Sequence, residues 1–105
     1  MSDLTFDKYE VMAKETANYP WSGSASGLLY ATIAMSGESG EYSNEIKKML
    51  RDDGGTLNTE RRERLILELG DILWYVSANC RELGVTMAEV AERNHQKLKA
   101  RYRGG

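Results

Sequence analysis

From Ser24 to Arg51, and again from Thr59 to Leu83, apolar residues recur every three or four positions and no proline intervenes. A spacing that alternates between three and four follows the turn of an α-helix, so it predicts two long helices, each with one face meant for burial. In the second helix of the chain that face is Leu28, Ala31, Met35, Tyr42, Ile46, Met49 and Leu50; in the third it is Leu65, Leu69, Ile72, Val76, Cys80 and Leu83. Asp52-Asp53-Gly54-Gly55 is the clearest turn between them, and Gly84 is a C-terminal stop. A first helix is expected from Ser2 to Asn18, broken before Pro20, the single proline, where the residue ahead of it is pushed out of helical geometry. Thr86-Met87-Ala88-Glu89 reads as a capping box opening a fourth helix, with Val90, Ala91, Asn94, Leu98 and Tyr102 on its inner stripe. The tail Arg103-Gly104-Gly105 is expected to be loose. No alternation of period two occurs, so the fold class is all-α.

A chain of 105 residues fits a single domain, here taken as residues 1–105, with only a modest core, so completion by self-association is expected. The formal net charge of -2 gives no surface suited to a nucleic-acid polymer, although a nucleotide needs only local positive charge. The one cysteine, Cys80, excludes an internal disulfide and a cysteine-based zinc site, and reads as a small core residue. The one histidine, His95, cannot build a multi-histidine metal site and is taken as surface. No apolar run reaches the length of a membrane span, and the polar, acidic start is no signal peptide, so a cytoplasmic protein is expected.

The chemistry lies in the acids. Glu38, Glu41 and Glu45 share one face of the second helix, and Glu68 and Asp71 share a face of the third. Both acidic stripes flank the apolar ones, so packing of the apolar faces brings carboxylates toward the seam. Carboxylates that converge there repel one another unless protonated or neutralised by cations, and oxygen-only ligation suits a hard divalent ion, magnesium or manganese. Gly37, Gly40 and Gly70 each precede an acid, where a missing side chain admits a close helix or a phosphate. The alternative is a solvated acidic face, which is common on helices.

Four words occur in order: Gly37-Glu38-Ser39-Gly40-Glu41, Lys47-Lys48-Met49-Leu50-Arg51-Asp52, Glu68-Leu69-Gly70-Asp71-Ile72-Leu73-Trp74-Tyr75 and Asn94-His95-Gln96-Lys97-Leu98. Together they resemble the MazG-like nucleotide pyrophosphohydrolases of the all-α NTP pyrophosphatase superfamily, over roughly Thr16 to Tyr102. The family pattern is E-x-x-E, a spacer, then E-x-x-D; here 26 residues separate Glu41 from Glu68. The resemblance implies a four-helix MazG-like bundle completed by oligomerisation, as a homodimer or a homotetramer built as a dimer of dimers. It implies hydrolysis of (d)NTPs between the α and β phosphates, with Mg2+ (Mn2+ as substitute) held by Glu38, Glu41, Glu68 and Asp71. It also implies that Asn94 and Lys97, a family N-x-x-K, contact phosphate or the metal's water, and that Tyr75 sits near the phosphates.

Positive side chains must hold the distal phosphates of such a substrate, and Lys47, Lys48, Arg51, Lys97 and Arg101 are the candidates. Glu45 is a possible fifth acid, with pairing to Lys48 as its alternative and the preferred reading. Trp21, after a flexible turn, is a candidate platform for a nucleobase, whereas Trp74 reads as packing. Many members carry a second Glu where this chain has Gly37, and members of this short type often continue into a Gly-rich basic tail. The rival function is a helical nucleotide-binding or regulatory module with a degenerate metal site.

Overall fold

A computed structural model describes residues 2–103. Four helices follow one another: α1 (Phe6–Glu15), α2 (Ala25–Asp52), α3 (Thr59–Leu83) and α4 (Met87–Arg103). No strand occurs among the described residues. None of the described helices is long and apolar enough to cross a membrane.

The centre of the molecule is the antiparallel hairpin of α2 and α3. Its tight end is set by backbone chemistry: Gly54 and Gly55 take positive φ, and the Gly55 N–H donates to the Met49 carbonyl. Asn58 then starts α3 by accepting from the Arg61 N–H. At the open end small residues, Ala31, Ser77 and Ala78, are fully buried, so the helices approach closely there. Tyr19 joins Ala31 and Ala78 as core, with Ala17, Tyr30, Trp74 and Tyr75 packed around them. Tyr19 stacks on Tyr30 at 6.0 Å and meets Trp74 edge-on at 6.2 Å.

The long helices run close to the limits expected for them, but α1 is shorter at both ends. Thr5 caps it by accepting from the Lys8 N–H, so the residues before it stay extended. At its end the Thr16 hydroxyl and backbone N–H both donate to the Ala13 carbonyl, and Asn18 N–H turns back to Thr16. The reversal therefore comes four residues ahead of Pro20 and is not made by it. The helix α4 starts where expected. The Thr86 hydroxyl accepts from the Glu89 N–H, but Glu89 itself pairs with Arg93, so only half of the capping box forms. The Met87 N–H goes instead to Glu10 of α1. Arg103, expected in a loose tail, is still helical, whereas Gly104 and Gly105 lie outside the described residues.

The expected inner stripes are only partly covered. Leu50, Leu69 and Leu83 are exposed, and on α4 Val90, Leu98 and Tyr102 are all open to solvent, Tyr102 at 78%. The reason is topological: α4 packs on α1 and α3 and not on α2, so among the described residues part of its apolar side stays uncovered. Ile33 and Leu67 on the hairpin, 72% and 70% exposed, are in the same position.

Candidate metal centre

One turn on α2 and one on α3 build the centre. Glu38, Glu68 and Asp71 each offer a carboxylate oxygen, and these oxygens lie within 4.8 Å of one another. They meet because the apolar faces beside them, Met35 and Tyr42 on α2 and Ile72 and Val76 on α3, turn toward the seam. No lysine or arginine pairs with any of the three among the described residues. Burial first, then the charges of Asp71, Glu68 and Glu41, push the Glu38 carboxyl above its usual range. Burial again leads for Glu68, followed by Asp71, Glu41 and Glu45. Oxygen donors with an uncompensated negative field are what a hard divalent cation requires, so the residues present fit a metal.

A carboxyl raised in the fold binds its proton more tightly folded than unfolded. Metal-free protein therefore gains stability from these two groups as pH falls through their raised values toward the unfolded one, and loses it as pH rises. Without metal, Glu38→Gln should melt above the parent at about pH 7, and the gap should close as pH falls to about 4, the range of an unfolded glutamate. Magnesium at neutral pH should reverse the order, because only the parent keeps all its ligands. Thermal melts in chelator and in magnesium across this range check both signs; a gap that widens on acidification defeats the argument.

Beside the acids lies a cavity of about 360 Å³, lined by Thr16, Glu38, Asp71, Trp74 and Tyr75. Tyr75 thus stands where the metal centre opens, its hydroxyl kept protonated by burial and then by Tyr30, Glu38 and Asp71. Trp74, read from the sequence as packing, does pack on Tyr19 but also forms cavity wall. Its indole N–H donates to the Thr16 hydroxyl at 3.0 Å. Tyr9 of α1 is close enough for Asp71 to act on its hydroxyl, after burial, raising it. Neither Thr16 nor Tyr9 carried a motif that marked it in the sequence.

The remaining candidates are placed differently. Glu41 is exposed on the same side of α2; its carboxylate is outside the three-acid set but acts on Glu38 and Glu68 through its charge. Glu45 does not pair with Lys48. Its carboxylate is bound by Arg61 of α3, a residue only 6% exposed, which also holds Asp53 at 2.9 Å. An arginine sixteen positions away in sequence outcompetes the nearer lysine because it is already buried against the seam. Lys47 is exposed and Lys48 half-buried on the last turns of α2, while Arg51 is engaged by Asp52. Asn94, Lys97 and Arg101 are exposed on α4, and none of them has a hydrogen bond or ion pair to the acids among the described residues.

The loop that carries Trp21 is tied to α3 and to its own backbone. Glu82 of α3 accepts from the Tyr19 hydroxyl and, at 3.0 Å, from the Gly23 N–H, while the Ser24 hydroxyl donates to the Trp21 carbonyl. This holds Trp21 at φ +61°, a conformation costly for a bulky side chain, with its ring against Tyr30 and 64% exposed. A Cβ on Gly27 would collide with the Trp21 carbonyl, so the close approach of this loop to α2 requires glycine. By contrast, a Cβ at Gly37, Gly40 or Gly70 would meet nothing within 4 Å. No neighbouring helix of this chain demands those three glycines.

Residues 29–104 match the MazG nucleotide pyrophosphohydrolase domain, a stretch that holds both acidic pairs and the whole of α3. The chain belongs to this family. The MazG match leaves α1, Thr16 and the Trp21 loop outside it. The chain is also 43% identical over 98 residues to the Gene 37 protein of Mycobacterium phage L5, covering 90% of this chain and 86% of that one. No solved structure matches. Membership of the MazG family supports a pyrophosphohydrolase-type hydrolase that takes a nucleotide.

Proposed function

We propose that the chain hydrolyses (d)NTPs between the α and β phosphates, releasing (d)NMP and pyrophosphate, in sanitation or control of the nucleotide pool. The observation that carries this reading is the meeting of Glu38, Glu68 and Asp71, unneutralised, beside a cavity of about 360 Å³ that Glu38 and Asp71 help to line. Those three acids and Glu41 would hold Mg2+, or Mn2+ in its place. When bound, the cation neutralises phosphate charge and polarises the phosphorus for attack by water.

The residues of the chain have separate tasks. The acids fix where the α phosphate rests, and Glu41 joins them by rotating along its helix face. Tyr75, protonated at neutral pH, donates toward a phosphate oxygen. Asn94, Lys97 and Arg101 face solvent in one chain, as do Ile33, Leu67 and the apolar side of α4. A second copy covering those surfaces completes the bundle as a homodimer or a dimer of dimers, and supplies the cationic helix with acids to face. Lys47 and Lys48 are held for the distal phosphates. Glu45 stays with Arg61.

The reaction is tested by incubating the protein with each common (d)NTP and magnesium in water enriched in heavy oxygen. Label in the monophosphate, with unlabelled pyrophosphate, is the expected result. Orthophosphate release with a diphosphate product overturns the assignment. Absence of turnover together with absence of Mg2+ or Mn2+ binding by calorimetry turns the reading to a regulatory module with a degenerate site, for which Gly37 in place of a family glutamate is the motivating feature.

A further inference from the structure

We propose that Trp74, oriented by Thr16, is the surface on which the nucleoside part of the substrate rests, and that this pair sets nucleotide preference. The inference rests on the triphosphate reading above and goes further than it, because it assigns the other end of the substrate.

The cavity has two chemically different ends. Glu38 and Asp71 form one; Trp74 and Tyr75 form the other, three and four residues beyond Asp71 on α3. That is one helical turn, about 5 Å of rise, a span that a pentose fills. A nucleotide has the same polarity: a charged phosphate, a sugar, then a flat base. With the α phosphate at the acids, the aromatic end is where sugar and base arrive.

The two rings are built as a corner. Trp74 and Tyr75 meet at 4.9 Å between centroids with an interplanar angle of 81°. A planar base can lie flat on one ring while the other ring bounds its edge. The indole N–H is already given to Thr16, so the ring offers its face and no free donor. Thr16 in turn donates to the Ala13 carbonyl and accepts from Trp74, which leaves one acceptor lone pair uncommitted on a residue that lines the cavity. A donor on the sugar or base satisfies that lone pair, and a group without one does not.

Trp21 is the rival platform. Its ring rests on Tyr30, two helical turns before Glu38, or about 12 Å along α2. It does not line the cavity. The wall that does is joined by Thr16, which lies outside the residues matched to the family.

The test uses the two tryptophans as separate reporters. Trp21→Phe leaves Trp74 as the only indole, and Trp74→Phe leaves Trp21. Each protein is titrated, with magnesium, with the four α,β-imido deoxynucleoside triphosphates and with inorganic tripolyphosphate, by fluorescence and by calorimetry. At least one analogue should change the emission of Trp21→Phe where tripolyphosphate does not. Trp74→Phe should bind that analogue about tenfold more weakly or worse. Thr16→Val, which keeps the shape of the side chain and removes only its hydroxyl, should weaken the analogue and leave tripolyphosphate binding as it was. If analogues and tripolyphosphate bind alike in every variant, the inference falls and the triphosphate site stands. If Trp74→Phe binds as the parent does and Trp21 carries the signal, Trp21 is the platform and the inference falls. If neither tripolyphosphate nor any analogue binds the parent, both fall together.

Discussion

An Asp71→Asn variant is expected to lose at least about a hundredfold in kcat/KM, and yet to melt higher than the parent when metal is removed. The two effects have one origin. Asp71 is a source of the negative field that raises Glu38 and Glu68, so its charge is a cost to the metal-free fold at neutral pH and an asset once a cation is bound. Asparagine keeps the shape and the helix, and removes the repulsion together with a ligand. Glu41→Gln should show the same pair of effects with a smaller gain in melting temperature, because Glu41 is the weakest of the charges acting on Glu38. Steady-state rates with magnesium and melts in chelator at neutral pH measure both. A variant that keeps its turnover removes Asp71 from the ligand set; one that loses turnover and also melts lower when metal-free has been damaged in its fold.

The same acids mark the boundary of what local sequence can tell. Glu38 with Glu41, and Glu68 with Asp71, were legible because three-residue spacing puts both members on one helix face, and the apolar stripe beside them says which way that face turns. The limits of α2 and α3 were legible for a similar reason: capping residues, Gly54, Gly55 and Gly84 act on their nearest neighbours. What was not legible depends on residues far apart. Nothing near Glu45 announces Arg61, and nothing near Trp74 announces Thr16, 58 positions earlier. The start of α1 was missed because a threonine cap without a glutamate behind it is a weak signal. The stripe on α4 was read as core, and its amphipathic pattern was real. A pattern shows that a face requires burial but not what buries it, and among the described residues Val90, Leu98 and Tyr102 stay exposed.

Removal of the Arg61 side chain should be the most damaging single change to stability. Its guanidinium bridges Glu45 and Asp53, both mostly buried, and its backbone N–H is capped by Asn58 at 2.8 Å. The residue therefore ties the last turns of α2, the hairpin turn and the first turn of α3 into one unit. The hydrogen bonds it donates to Asp53 and Glu45 hold the guanidinium firmly charged, against the opposing effect of burial. Arg61→Met leaves two carboxylates in a poorly hydrated place with no cation, the circumstance in which breaking a buried pair is far costlier than replacing it whole. Melting should fall by on the order of 10 °C or more in a domain of this size. Arg61→Lys should recover only part of that, since an ammonium cannot span both carboxylates in the same fork. The triple change Arg61→Met, Glu45→Gln, Asp53→Asn should recover most of it, because no stranded charge remains. If Arg61→Met melts within about 2 °C of the parent, the ion pairs are ornamental and the hairpin is held by its apolar seam alone. If the triple variant is no better than the single one, packing of the arginine stem, not charge, is what the site supplies.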